Sequence, residues 1–393
     1  MNPLEPFTLS LSKRRARIGQ AQSERVWKTN RCFIGGDLTH AAAQPNRLQL
    51  RAQCWLFHHP TAVLGNRSPV FQFFSVRAQW LVWLCALGAL TAPLSRMLPI
   101  GHAPSLQWLV ELAAHWQWAY ATVGAAAVVL LILMLRRRAW WLPLPALVVA
   151  GSLVWQPATL PTAAAPGTAN AQVLKVGTVN LNLATTDFTP LRQWLASADA
   201  PDVVFLQEFT ELAQRALAND PVLSARYPHR LAVPQPDPFG LAILSRHPLS
   251  DSQALPPDTD HDTLRLRAKL VWHGRPVHLS ALHPMPPLSS AFAHARDQAL
   301  QDEARHLAQA GGLGLMAGDL NTTPWARGLW GAAQAQMRRA GPAWPTWPNA
   351  WGRLSVLPLD HVLASSSWQL LDAQTGPNLG SDHRPTVVRL VAP

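Results

Sequence analysis

A chain of 393 residues that is 48% hydrophobic but only 14% charged carries too little charge for a wholly soluble protein, so its apolar residues must be concentrated somewhere. The formal net charge of +11 is unevenly placed: residues 1–171 hold 15 Lys and Arg against 4 Asp and Glu, whereas residues 172–393 hold 18 of each. That balance weakens the reading of the basic character as a nucleic-acid footprint, and the three cysteines, Cys32, Cys54 and Cys85, have no zinc-type spacing and leave the C-terminal half without a thiol.

Residues 1–75 are polar, basic and without sustained periodicity, and are expected to be disordered. No Met occurs between Met1 and Met97, so a true start at a later, non-Met codon is the alternative origin of this region. The first long apolar stretch begins too late for a secretory signal peptide. Three apolar stretches follow, at 78–95, 116–135 and 139–155, and residues 76–156 are expected to form about three transmembrane helices. A span needs about 17–25 apolar residues; the second stretch meets this comfortably and the others sit at the lower limit. Trp80, Trp83, Trp116, Trp118, Trp140, Trp141 and Trp155 lie toward the ends, as an interfacial belt would place them. Helices buried in a soluble core are the competing reading, but the second stretch is apolar around its whole circumference and abuts three arginines at 136–138. With the basic N-terminus in the cytoplasm those arginines return to the cytoplasmic side, as the positive-inside rule requires. The third span then leads outward, through a Pro/Ala/Thr-rich linker at 157–172, to a C-terminal domain outside the cytoplasm.

From residue 173 short apolar runs alternate with helical stretches. Strands are expected at 173–183, 202–208, 240–246, 264–272, 276–283, 313–319, 358–364 and 385–391, and a helix at 291–310. Such a mixture over residues 173–393 indicates one α/β domain. Polar residues recur where the apolar strands stop. Alternation puts Thr178, Asn180 and Asn182 on one face of the first strand, and Asp319 and Asn321 on one face of another. Gln207 and Glu208 end an apolar run; a carboxylate there is costly unless paired or bound to a cation, although a charge at the start of a helix near 210–218 is the plainer account. His283 ends a strand, Asp360 interrupts one, and Asp382 and His383 sit in a loop. Each of these, alone, has an ordinary structural explanation as a strand end or turn.

As an ordered set they do not. Asn180, Gln207-Glu208, the GLAILSR run at 240–246, His283, Gly318-Asp319-Leu320-Asn321, Asp360 and Gly380-Ser381-Asp382-His383 resemble, in order, the motifs of the endonuclease/exonuclease/phosphatase superfamily, the group related to DNase I. The resemblance covers about residues 174–391, and the preceding apolar segment is similar to a membrane-anchored bacterial branch. It implies a four-layered α/β/β/α sandwich with a site at one end of two packed sheets. It also implies roles. Glu208 resembles the metal-binding glutamate, with Asn180, Asn182 and Asp382 close to the ion or its waters; Asn182 departs from members with Asp there. His383, oriented by Asp360, resembles the acid–base histidine. Asp319 and Asn321 resemble the pair that positions the attacking water and the phosphate oxygens, and His283 a second histidine suited to the phosphate or leaving group.

Elementary chemistry agrees with those roles. Oxygen ligands without Cys suit Mg²⁺ or Mn²⁺, and a histidine with a carboxylate behind it can move a proton at neutral pH. The expected function is hydrolysis of a phosphoester, whether a lipid headgroup, a small phosphoester or a nucleic acid, by an enzyme of the bacterial inner membrane. A weak or inactive membrane-tethered sensor on the same fold is the alternative, and the sequence names no protein partner. Balanced charge argues against charge-driven grip on duplex DNA; Arg265, Arg267 and Lys269 along one strand, and Arg338-Arg339, are the local exceptions. The topology is tested by reporter fusions after residue 172. Alkaline phosphatase should be active there and a fluorescent protein that folds only in the cytoplasm dark; the reverse pattern would overturn the orientation.

Overall fold

The computed structural model describes residues 68–98, 103–135, 140–163 and 172–392; residues 1–67 of the basic N-terminal region and the arginines at 136–138 lie outside the described residues, whereas 69–75, expected to be disordered, are helical, because the apolar run begins there. Helix α1 (Pro69–Ala89) runs almost directly into α2 (Thr91–Met97), and α3 (Pro104–Ala114) leads to α4 (Gln117–Leu135) and α5 (Pro143–Val154). Helices α1, α4 and α5 pack on one another. The stretch Pro69–Met97 and helix Gln117–Leu135 have mean hydropathies of 1.4 and 2.2, yet only 33% and 22% of each apolar window is buried. Two helices are thus long and apolar enough to cross a membrane, and their surfaces face outward rather than into a core.

The third expected span is shorter than anticipated. Helix α5 has 12 residues, about 18 Å at 1.5 Å per residue, against the roughly 30 Å of a hydrocarbon layer. The helix starts at Pro143, whose missing amide costs nothing in a first turn, and it ends at Trp155, which has left helical geometry at φ −77°, ψ 78°.

The C-terminal half contains two six-stranded sheets. The first has the order β11 (Gln369–Thr375), β12 (Thr386–Val391), β1 (Val173–Asn180), β2 (Val203–Gln207), β4 (Leu241–Ser245) and β3 (His229–Val233). The second has the order β5 (Leu249–Leu255), β6 (Arg265–Trp272), β7 (Arg275–Leu282), β8 (Leu313–Asp319), β10 (Asp360–Ser365) and β9 (Met337–Arg339). Each sheet has one parallel pair, β1–β2 and β7–β8. Parallel neighbours need a crossover, supplied by α6 (Thr189–Ala196) in the first sheet and α9 (Ser290–Ala310) in the second.

All eight expected strands form, with slightly shifted ends, and so do the helix at 291–310 and the one near 210–218, here α7 (Glu211–Ala218). The strands that periodicity did not reveal, β3, β5, β9 and β11, are the four sheet edges. An edge strand need not be apolar on both faces, and natural edges carry polar residues; β5 is exposed at five of its seven positions.

Three apolar layers hold the sandwich together. Leu174, Val176, Phe205, Leu279, Leu315 and Val362 lie between the sheets. Trp194 and Leu195 of α6, Leu217 of α7 and Leu223 of α8 (Pro221–Arg226) cover the first sheet's outer face. Leu300, Ala304 and Leu307 of α9, with Leu329 of α10 (Arg327–Gln334), cover the second. The expected linker begins inside this core: Leu160 is 3% exposed, and residues 159 and 162 bridge the edge strands β9 and β11.

Gly318 marks the closest approach in the second sheet, because a Cβ there would lie 1.8 Å from the Leu282 carbonyl oxygen. Backbone, unlike a flexible side chain, cannot step aside. Gly318→Ala should therefore cost about 1–3 kcal/mol, the usual range for overpacking, read as a lower unfolding temperature of the full chain. An unchanged midpoint would contradict this packing.

Candidate active site

The inner faces of five strands change character at one end of the sandwich. In β1 the inward stripe runs Leu174, Val176, Thr178, Asn180; in β2 it runs Val203, Phe205, Gln207; in β8 it runs Leu313, Leu315, Ala317, Asp319. In β7 the stripe Val277, Leu279, Ala281 points on to His283, and the antiparallel β10 begins with Asp360 before Val362 and Ala364. Register aligns the polar ends: Asn180 is opposite Gln207, Asp319 is opposite Asp360, and Ala281 sits beside Ala317.

Asn180, His283, Asp319, Asp360 and His383 are buried, while Glu208, Asn182, Asn321 and Asp382 are half-buried at the rim. Asp360 Oδ2 lies 2.8 Å from His383 Nδ1. That bond assigns the Nδ1 proton to the dyad and leaves Nε2 facing Asp319 Oδ2 at 3.6 Å. His283 is built alike: Nδ1 lies 2.9 Å from the Pro238 carbonyl oxygen, and Nε2 lies 3.5 Å from the same Asp319 oxygen. Asn180 Nδ2 donates to Asp319 Oδ2 at 3.0 Å and to Glu208 Oε1 at 2.9 Å, tying the two sheets together. Glu208 Oε2 also accepts the Leu183 amide at 2.5 Å. At the rim, Asn182 Nδ2 donates to Asp382 Oδ1 at 2.8 Å and Trp347 Nε1 to Asp382 Oδ2 at 3.0 Å.

Asn182 and Asn321 reach the site by turning, not by continuing the strand alternation. Strands β1 and β8 stop at Asn180 and Asp319. Asn182 and Asn321 have φ of 60° and 48°, and Glu208 has 54°. These left-handed residues are uncommon for non-glycine types, and such strain gathers where surroundings over-determine it. Side chains supply that restraint: the Asn182 amide donates to Asn180 Oδ1 and the Asn321 amide to Asp319 Oδ1, while Asn321 Nδ2 donates to the Pro284 carbonyl at 2.9 Å. Trp347, and the carbonyls of Pro238 and Pro284, are site components that no sequence signal marked.

Electrostatics separate the central groups. Burial alone would raise the Asp319 carboxyl, but the charges and hydrogen bonds of His383 and His283 outweigh it and hold it below the usual carboxylate range. Burial pulls the His383 imidazole down, yet Asp360 and Asp319 reverse this and push it up to about 10. Among the described residues, no Lys or Arg is ion-paired with Glu208, Asp319, Asp360 or Asp382; only the two histidines face these four carboxyl groups. This anionic surplus, all in oxygen ligands, fits a hard divalent cation. Asp319, Asp360 and His383 also bring ligand-type atoms within 4.8 Å of one another, but Asp360 and His383 are already joined by their 2.8 Å bond. The local basic clusters are otherwise engaged. Arg265 and Arg267 pair with the buried Glu303 at 3.6 and 2.5 Å, Lys269 lies 3.9 Å from Asp251, and the buried Arg339 bonds Gln156.

A family model described as the endonuclease/exonuclease/phosphatase family matches residues 177–383. No curated protein sequence matches the chain. Among solved structures it is similar to an endonuclease/exonuclease/phosphatase from Beutenbergia cavernae, at 19% identity over 56% of this chain and 72% of that one, with a TM-score of 0.47. It is also similar to sphingomyelinase C from Streptomyces griseocarneus, at 18% identity over 56% and 99% of the two chains, with a TM-score of 0.42. A 3'-5' exonuclease from Neisseria meningitidis aligns at 19% identity over 55% and 98%, with a TM-score of 0.45.

The charge assignment for His383 has a direct test. In cation-free protein, Asp360→Asn should lower the His383 titration midpoint by about 1–3 units, the effect of removing an adjacent opposite charge. Imidazole resonances followed by NMR would read it, and equal midpoints would show that Asp360 does not hold the proton on His383.

Proposed function

We propose that this chain, which belongs to the endonuclease/exonuclease/phosphatase family, is a membrane-anchored, divalent-cation-dependent phosphoester hydrolase. The observation that carries the reading is one carboxylate oxygen, Asp319 Oδ2, shared by His383 Nε2, His283 Nε2 and Asn180 Nδ2 within 3.6 Å, with Asp360 behind His383. Two imidazoles aimed at one ionised acid form a place where a water can be oriented and a phosphoryl group gripped.

Each residue's part follows from its atoms. Asp360 accepts the His383 Nδ1 proton and fixes the ring, so proton exchange with substrate occurs at Nε2. Its acidic surroundings keep His383 protonated, which suits it to donate to a phosphoryl or leaving-group oxygen. Asp319, kept ionised, accepts a hydrogen bond from the attacking water and aligns it. His283 is held through Pro238 and presents its own Nε2 to the phosphate. Asn321, turned back by Asp319 and Pro284, faces the phosphate oxygens. Glu208 and Asn180, with Asn182 and Asp382 at the rim, would hold Mg²⁺ or Mn²⁺. When bound, such an ion neutralises charge developing on the phosphoryl oxygens.

Anchoring rests on the two long apolar helices and on where the helical region meets the C-terminal half. Arg327 Nη2 donates to the carbonyls of Ser95 and Leu98, at the end of the first apolar run, and Trp325 Nε1 to that of Leu153, near the end of α5. Both ends therefore meet the C-terminal half, which supports placing them on one side of the membrane, although α5 by itself is shorter than a hydrocarbon layer. With the basic segment in the cytoplasm, that side is extracytoplasmic.

Screening the full chain against DNA, RNA, phospholipids and sugar phosphates with Mg²⁺ would identify the substrate. EDTA should abolish turnover and Mg²⁺ or Mn²⁺ restore it, with Glu208→Gln raising the cation requirement; full activity in EDTA would remove the metal from the mechanism. His383→Ala and Asp319→Ala should each lower kcat by roughly 10²–10⁴, and wild-type rates in either folded variant would refute its role.

A further inference from the structure

Arg296, in α9, has a side chain with no solvent exposure. A buried guanidinium is tolerated only when its charge is paired and its donors are satisfied, and its partners come from three separate parts of the chain. Nη1 donates to the Asn321 carbonyl oxygen at 2.9 Å. Nε and Nη2 donate to Asp297 Oδ1 at 3.0 and 2.6 Å. Nη2 also donates to Glu111 Oε1. Glu111 belongs to α3, between the two long apolar helices, and is itself 4% exposed.

The bond from Glu111 is one of a set. His115 Nδ1, just past α3, lies 3.0 Å from Thr323 Oγ1, with both residues buried. Trp108 Nε1 donates at 2.8 Å to the carbonyl of Pro287, in the loop that follows His283. The same loop receives Asn321 Nδ2 at Pro284. A mere tether would leave these contacts anywhere on the domain. Instead they fall on the loops after β7 and β8, which carry His283 and Asn321. Asn321, with φ of 48°, sits in the left-handed region and needs restraint. Its amide and side chain are held from within the sandwich, but its carbonyl is held by an arginine whose second acidic partner belongs to the helical region.

We propose that α3 is a working part of the active site, in which Glu111, acting through Arg296, is a positioning residue that sets Asn321 against Asp319. The kinetic half of this inference rests on the phosphoester-hydrolase reading; the structural half does not. Removing Glu111 leaves Arg296 with Asp297 alone, and the guanidinium can then turn away from the Asn321 carbonyl. The strand β8 and its core should be untouched, because the perturbed bonds all lie beyond Asp319.

The experiment compares the full chain in lipid nanodiscs as wild type, Glu111→Ala, Glu111→Gln and His115→Ala. Backbone amide exchange over residues 320–326 is read against that of β8, and kcat and KM are measured on whichever phosphoester the wild type hydrolyses. In Glu111→Ala, exchange at 320–326 should rise about tenfold with β8 unchanged, the signature of local opening. The kcat should fall about 10- to 100-fold, as misplacement of a positioned group does, with KM changed far less. Glu111→Gln, which keeps an acceptor for Arg296, should retain most of the rate. Wild-type exchange and kcat in Glu111→Ala would overturn the proposal. If that variant does not fold, His115→Ala serves instead: raised exchange at Thr323 with lowered kcat supports it, and unchanged values overturn it. A wild type without turnover on any phosphoester would defeat the functional reading alone, since loosening of 320–326 would still support positioning by α3.

Discussion

The side chains that face inward from β1, β2, β7, β8 and β10 must be apolar where the sheets overlap, yet at one end of the sandwich that stripe passes to Asn180, Gln207, His283, Asp319 and Asp360. Polar groups buried there are costly unless they satisfy one another. The bonds of Asn180 to Asp319 and Glu208, of Asp360 to His383, and of Thr178 Oγ1 to Gln207 Oε1 at 3.1 Å supply most of that satisfaction, leaving Gln207 Nε2 buried without a partner among the described residues. Those of Asn180 to Asp319 and of His383 to Asp360 also connect the two sheets across the mouth of the core, so the same bonds that make the end of the sandwich tolerable bring these groups together.

This economy leaves the site electrically unbalanced. Four carboxyl groups converge with two histidines, and among the described residues no guanidinium or ammonium is ion-paired with them. Self-repulsion of this kind lowers stability in the empty protein and raises affinity for anything positive that enters. It also divides labour between neighbours: Asp319 stays ionised because imidazoles flank it, and His383 holds its proton because acids surround it. Elsewhere in the domain the opposite policy holds, with Arg265 and Arg267 neutralised against the buried Glu303. Positive surface is thereby withdrawn from the outer face of the second sheet.

The helical region is joined to this chemistry through a few directional bonds and not through a broad apolar interface alone. Arg296 lies at the crossing point, one guanidinium spanning α3, α9 and the turn at Asn321. Trp325 sits nearby, fully buried against Ala92 and Ala343, with its indole nitrogen on Leu153. The turn that follows Asp319 is therefore shared property of the two regions, and a displacement of the helices relative to the sheets would be felt there first.

What the sequence determined by itself was whatever repeats over a few residues. Short apolar runs marked the eight central strands, the polar residues at their ends marked the candidate site, and the partition of charge and hydropathy marked two kinds of region. The order of the end-residues was enough to place the chain in its family. The four edge strands stayed hidden because an edge is defined by having one neighbour instead of two, which is a property of the assembled sheet. Asn182 and Asn321 looked like continuations of strands, but left-handed turns place them, and those turns are held by side chains bonding back to Asn180 and Asp319. The third apolar stretch read as a span, though its helix, Pro143–Val154, runs only 12 residues. Tertiary structure alone decided the pairing of Arg296 with Glu111, 185 positions apart in the chain, and the use of the Pro238 and Pro284 carbonyls to aim side chains of the site. Local pattern cannot encode such pairings, because their partners become neighbours only after the core has brought the loops together.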